Sequence, residues 1–335
     1  MVLFIEHDGG TWVAKPDRPF GKLQLDLYDS AFKKDEEMFS CPLELEVLDN
    51  RIYVSMRSWG ALTQKIEGLS LEEMEDITRQ RETAVRELVD YASGLVPEPD
   101  NLARLFELYE RAVSYFHFRW NFGNVADARL KQQLELLSPR DRIKAQKIFE
   151  KPELETLKKT ECFYKALGSV KANQHYLDMF ASANGELLLC IQQNPELWKQ
   201  VRVLAEDFMH VHNEDIRIDV PYQFVADELR ANLGDDFTFT RHSPRTYPEY
   251  EVELRQKVPD WDVFRRTIIL ADVQGSQKEN EHHLQIRGQN RMKRCLELLA
   301  LNLVQIGFLR DVKDVYEIGK NDVLELAEKV KGGYT

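Results

Sequence analysis

The stretch IRGQNRMKRCLELLALNLVQIG, residues 286–307, decides how the chain is read. Its apolar positions recur at a helical period from Ile286 to Ile306. Gly307 is the residue type that ends a helix in the left-handed conformation. Just upstream stands Glu281-His282-His283. Positions 283, 287, 291 and 294 are spaced four, four and three apart, so His283, Arg287, Arg291 and Arg294 share one helix face. Such a stripe is either a phosphate or carboxylate contact or a solvated face, and the spacing leaves both readings open.

Working toward the N-terminus, the helical period persists. Asn194-Pro195 begins a helix containing Leu197, Val201, Leu204 and Phe208. Residues 160–193 read as one or two helices, and Ser138-Pro139 as another helix start. Leu102, Leu105, Tyr109, Val113 and Phe116 form a helical stripe running on toward Leu137, with a possible kink near Gly123. Ser70 with Glu73 is a capping-box signature for the helix before it. Only the first 66 residues have strand character. Leu43, Leu45 and Val47 alternate with acids, Ile52, Val54 and Met56 alternate with Tyr53 and Ser55, and Asp49-Asn50 between them marks a hairpin. Upstream, Gly9-Gly10, Pro16 and Pro19 interrupt any pattern. Beyond Gly307, Asp314 to Ile318 reads as a short strand-like piece, and Asn321 as the cap of a helix over 322–330. The expected fold is mainly α: a short β-containing N-terminal segment, 1–66, on a helical body, 67–335.

The 335 residues carry a formal net charge of −12, with 43% hydrophobic and 30% charged residues. That balance is ordinary for a globular chain. An acidic chain does not hold a nucleic-acid backbone by bulk electrostatics, so no nucleic-acid partner is expected. No apolar run is long enough for a membrane span, and MVLFIEHDGG has no basic lead-in, so neither membrane nor signal peptide is expected. Cys41, Cys162, Cys190 and Cys295 form no CxxC pair and read as reduced thiols of a cytoplasmic protein. Walker-type and dinucleotide glycine loops, HExxH and G-x-S-x-G are all missing.

Three constellations have the residue types for chemistry. His210, His212, Glu214, Asp215 and Asp219 lie within ten residues. They suit a divalent metal or acid–base work, or they form an exposed polar helix end. Tyr115-Phe116-His117-Phe118-Arg119-Trp120 reads as a pocket wall with Arg119 as an anion hook, or as a packed core helix. The third is the His283–Arg294 face. Arg241-His242-Ser243-Pro244-Arg245, in a long loop over 234–248, is a weaker anion candidate.

Arg294-Cys295-Leu296 through Leu303-Val304-Gln305-Ile306-Gly307-Phe308-Leu309, then Asp314 to Ile318 and Asp322 to Leu326, resembles the helical linker of the phosphoenolpyruvate-synthase and rifampin-phosphotransferase-like family. Glu281-His282-His283 stands where that family has Glu-Asn-His or Glu-Asn-Arg. His212, Asp219 and Pro221 match its Gly-His-Arg, Glu-x-Asp and Pro, with Asn213 in place of Arg. Arg51-Ile52-Tyr53-Val54 is similar to its strand ahead of the helical body. The ATP-grasp and phosphohistidine motifs of the family are missing from this chain.

The resemblance implies a component: the acceptor-binding subunit of an ATP- and phosphohistidine-dependent phosphotransferase, as in phenylphosphate-synthase-like systems. It implies partner subunits carrying ATP-grasp and phosphohistidine functions, ATP and Mg on a partner, no cofactor on this chain, and a small hydroxylated acceptor, phenolic or otherwise. His117, His212 and His283 are then the candidate catalytic bases. Arg119, Trp120, Arg217, Asp219, Arg287 and Arg291 are candidate substrate contacts, with no metal site. The alternatives are a non-catalytic helical scaffold of the same lineage, or a metal-dependent enzyme using His210 and His212.

Overall fold

A computed structural model describes residues 4–7, 10–14, 20–114, 119–148, 154–183, 185–208, 217, 220–235 and 247–331; for residues 4, 6–7, 12–14, 119–121, 155–156, 207–208, 276–279 and 281–282 it describes the backbone alone. The fold is mainly helical, with one small antiparallel sheet near the N-terminus. The sheet has strand order β1 (Phe4–His7), β2 (Gly10–Ala14), β4 (Arg51–Ser55), β3 (Leu45–Leu48). The β3–β4 hairpin turns at Asp49 and Asn50, with φ of 48° and 57°. Two successive left-handed residues match the twist of the flanking strands, and Asp and Asn tolerate that conformation best after glycine. Leu45 therefore pairs with Val54 and Val47 with Ile52.

Between β2 and β3 the chain forms helix α1 (Lys22–Phe39), which the sequence pattern did not predict. Its buried residues Leu23, Leu27 and Ala31, and Tyr28 and Phe32, are spaced by four. Acidic and basic residues between them obscure the stripe. The helix has no side-chain cap at its start, so the local signal was weak as well. Helix α2 (Met56–Glu67) follows the hairpin directly. Helix α3 (Leu71–Ser93) starts at the capping box expected from the sequence: the Glu73 amide donates to Ser70 Oγ at 3.2 Å and the Ser70 amide to Glu73 Oε2 at 2.7 Å. Helices α4 (Leu102–Ser114), α5 (Arg119–Glu135) and α6 (Pro139–Ala145) come next, the last capped by Ser138 as expected.

A second group packs around its own apolar centre. It comprises α7 (Glu155–Lys171), α8 (Gln174–Ser182), α9 (Leu187–Gln192), α10 (Pro195–Val203), a π-helical turn Leu204–Phe208 and α11 (Tyr222–Ala231). Helix α12 (Glu249–Arg255) closes a third, small cluster with the ends of α5 and α6. Helix α13 (Trp261–Gln305) touches all three groups. Its 45 residues span about 68 Å at the α-helical rise. Gly307, at φ 75°, ends it, with the Phe308 amide donating back to the Leu303 carbonyl. Residues 312–317 then form a 3₁₀ turn in place of the expected strand. Asp311 accepts from the Lys313 amide and Asp314 from the Asp311 amide, so the acids satisfy the backbone locally. Val315 and Tyr316 are both buried, which adjacent residues of a half-buried strand would not be. Helix α14 (Lys320–Lys331) ends the described chain. Among the described residues no helix is long and apolar enough to cross a membrane, and the four cysteines are free thiols.

Helix α3 runs alongside α13 in the same direction, with Glu75 meeting Arg266, Thr78 meeting Gln274 and Leu88 meeting Gly288. The last contact needs glycine: a Cβ at position 288 would fall 2.5 Å from Leu88 Cγ. A helix-interior Gly→Ala change ordinarily gains about 1 kcal/mol. Here overpacking outweighs it, so Gly288→Ala is expected to lower unfolding stability by about 1–3 kcal/mol. In a Leu88→Ala background the same change should cost little, which a double-mutant cycle by denaturant unfolding checks.

Asp35, on the inner face of α1, is a buried acid with no hydrogen-bond partner for either oxygen among the described residues. Burial, then the neighbouring Glu36, pushes its carboxyl well above the ordinary Asp range. The unfolded chain loses this proton near pH 4. Above that, folding must take the proton back, so this group's contribution to stability falls as pH rises toward the folded-state value. Asp35→Asn removes the titration. Its melting temperature is expected to gain on the wild type between pH 5 and pH 8.

Candidate functional site

The site is built where the π-helical turn meets α13. Helix α10 buries Leu197 and Val201, and the turn continues that apolar face with Leu204 and Ala205. The wider π turn spaces its own residues differently around the axis from a regular helix, and such turns recur at functional positions. Glu206 is thereby placed against α13. The Asn290 amide donates to the Glu206 carbonyl at 2.6 Å and fixes the approach.

The Glu206 side chain is 5% exposed, and four donors converge on it. Arg291 Nη1 reaches Oε2 at 3.0 Å. Arg202 Nε and Arg294 Nη2 reach Oε1, each at 3.2 Å. The Tyr222 hydroxyl donates to Oε1 at 2.6 Å and accepts from Arg294. Tyr222 is packed against the Trp198 ring at 5.1 Å, and the Arg294 guanidinium lies 5.7 Å from the Tyr222 ring centre. Burial disfavours charge on Glu206 and is the largest single influence. The Tyr222 and Arg202 hydrogen bonds, with the charges of Arg202 and Arg291, together outweigh it, so the carboxyl sits below its ordinary range. Burial and the Glu206 hydrogen bond raise Tyr222, which remains a donor at neutral pH.

The residues singled out in the sequence are not all gathered here. Arg291 lies in this cluster, one turn and two turns beyond Arg287 and His283 on the same helix. All three are half-buried. At 1.5 Å per residue, His283 is about 6 Å from Arg287 and about 12 Å from Arg291 along the axis. Arg217 is half-buried and meets Glu317, in the 3₁₀ turn, at 3.5 Å. His117, His212 and Asp219 lie outside the described residues, as do His210 and the Arg241–Arg245 loop. Arg119 and Trp120 begin α5, and only their backbones are described.

Glu206 and Ala112 are described residues that precede two of these segments in the chain. Glu206, four residues before His210, lies at the level of Asn290 and Arg291. The Ala112 carbonyl, three residues before Tyr115, accepts from Gln285 at 2.6 Å. Those levels on α13 differ by about 9 Å. Gln285 and His283 are about 200° apart around the helix, so Ala112 approaches α13 from the side away from the arginine face.

Sequence reasoning missed Glu206, Tyr222, Trp198 and Asn290. The i,i+4 pair of Arg202 and Glu206 was readable, but nothing in Leu204-Ala205-Glu206-Asp207-Phe208 marks Glu206 as the acceptor for two further arginines 85 and 88 residues away. Arg294 was on the expected face, although it was not among the expected substrate contacts.

Glu206→Gln would leave three guanidiniums without their common carboxylate. Removing one partner of a buried ion cluster costs about 3–5 kcal/mol. The arginines are 24–44% exposed, so solvent screening puts the expected loss nearer 2–3 kcal/mol at pH 7. A carboxyl held low stabilises the fold above its unfolded value of about 4.3, and that contribution disappears as pH falls through the folded value. Urea unfolding of wild type and Glu206→Gln should therefore differ at pH 7 and converge toward pH 3. No protein-family model matches this chain, and no curated protein matches it in sequence, so the reading of the site rests on the residues themselves.

Proposed function

We propose that this chain is the acceptor-binding component of a multi-component phosphotransferase. ATP and Mg would be bound, and the phosphohistidine carried, by partner proteins. The observation that carries the reading is the ordered arginine face of α13, fixed through Glu206 at the point where the chain enters the His210–Asp219 segment. Transfer to a hydroxyl needs positive charge around the moving phosphoryl oxygens and a base for the hydroxyl proton. Arg291 and Arg294 supply the first, with Arg287 one turn away. His283, His212 and His117 are the candidates for the second, and Arg217, Asp219, Arg119 and Trp120 for acceptor contacts.

The axial spacing constrains the pairing. A base at His283 and a phosphoryl group at Arg291 would be about 12 Å apart along α13. Two pairings of base and cation are open: His283 with Arg287, one turn apart on α13, or His212 with Arg291 and Arg294. The resemblance of residues 281–326 to the phosphoenolpyruvate-synthase-type linker supports the lineage. The four free thiols fit a cytoplasmic system.

The purified chain with Mg-ATP and a hydroxylated acceptor such as phenol is expected to transfer no phosphate. Adding an ATP-grasp protein and a phosphohistidine carrier should restore transfer, and Arg291→Ala should reduce it at least tenfold. Robust transfer by the chain alone would overturn the proposal.

A second reading has one observation in its favour. Glu206 already receives four donors, as in an ion cluster whose role is structural. A non-catalytic scaffold would show no phenol-dependent rise in melting temperature, whereas an acceptor site would.

A further inference from the structure

We infer that Arg202, Arg291 and Arg294 form an oxyanion seat for a phosphoryl group, with Glu206 as the internal counter-ion that holds the three guanidiniums in place. The inference deepens the proposed function, and it takes from that reading only the identity of the anion as a phosphoryl group. The seat itself rests on geometry.

The guanidiniums have donors to spare. Each has five N–H groups, so the three together have fifteen. Among the described residues they donate to Glu206 through one nitrogen each, and Arg294 donates in addition to Tyr222. The Glu206 side is the opposite: three donors share Oε1, more than its two lone pairs favour, so further donors are not accommodated there. Most of the guanidinium donors are therefore open to a second acceptor.

The local charge is also unbalanced. Among the described side chains, three arginines face two carboxylates, Glu206 and Glu297, the latter 3.5 Å from Arg294. That leaves one positive charge over, on a chain whose formal net charge is −12. In the acidic background a local positive surplus selects small, multiply charged anions over extended polyanions.

The donors are held rigidly. The cluster draws Arg202 from α10 and two arginines from α13, both regular helices, and Asn290 fixes the turn between them. The guanidiniums are partly exposed, so a ligand can reach them, while their carboxylate partner is buried. The Trp198–Tyr222 pair forms an aromatic wall beside them. A tetrahedral dianion meets several planar donor forks at once and is held by charge-assisted hydrogen bonds. Loss of one fork is expected to weaken such binding about tenfold, the equivalent of about 1.4 kcal/mol.

The test uses inorganic phosphate and the full chain, by isothermal titration calorimetry at constant ionic strength. The wild type is expected to bind one phosphate, in competition with sulfate and not with chloride. Arg291→Met and Arg202→Met should each weaken binding at least fivefold with unchanged far-UV circular dichroism. Arg104→Met, which removes an exposed arginine paired with Glu107, should leave binding as it was. If Arg291→Met does not fold, Arg202→Met decides, because its side chain is the most exposed of the three. Absence of phosphate binding by the wild type, or binding that neither substitution weakens, would overturn the seat. The reconstituted transfer assay separates this inference from the function proposed above. Phosphate binding without transfer keeps the seat and removes the function, and transfer without phosphate binding does the reverse.

Discussion

The structure depends on how α13 is matched, side chain by side chain, to the helices around it. A helix of this length buried on several sides must satisfy its polar groups internally, because each buried unpaired group costs about 1–3 kcal/mol. The pairing is specific. Arg266 holds Glu75 through two nitrogens at 2.9 and 2.6 Å. Gln274 donates to Thr78 and accepts from Arg81. Gln285 donates to the Ala112 carbonyl, and Gln289 accepts from Tyr109. A slip of one residue along α13 would turn these groups by about 100° into apolar neighbours. The polar pairs therefore set register, while Leu296, Leu299 and Leu303 supply burial.

Fixed register is what gives the arginine face its meaning. Two sides of α13 are consumed by α3 and α4, and the Gly288–Leu88 contact sets how closely α3 approaches. The part of the arginine face that bears Arg291 and Arg294 meets the π turn. A regular α-helical continuation of α10 would present different residues to that side. The π turn and Asn290 together bring Glu206 onto Arg291 and Arg294, and Glu206 lets three like charges stand together. Among the described residues, the same carboxylate that steadies the cluster leaves most guanidinium donors without an acceptor, which is what the proposed oxyanion seat would use.

The sequence was informative where the signal is local. The Ser70–Glu73 and Ser138 caps, the Asp49-Asn50 turn and the Gly307 stop depend on groups within a few residues of one another, and each is found as read. It failed where competing local effects are close. Helix α1 has no cap and a diluted stripe. In residues 312–317, aspartate-to-backbone hydrogen bonds prevailed over β-branched propensity. The N-terminal extension of α13 to Trp261 was also unread, since Gly275 and a run of polar residues dilute the pattern there without breaking the helix.

By itself, then, the sequence determined the helical class, the hairpin, the helix ends and the alignment of His283, Arg287, Arg291 and Arg294 on one face. Periodicity and capping are short-range, and one chain segment contains all the atoms they require. Only the tertiary structure decided that Glu206 closes onto that face, that Arg202 and Tyr222 join it, and that Arg217 turns to Glu317 instead of standing as an isolated cation. Arg202 and Tyr222 are only four and 16 residues from Glu206. The contacts that bring all three onto α13, and the Arg217–Glu317 pair, join residues 72 to 100 positions apart, and their existence depends on the register of one long helix and the turn of a π-helical segment.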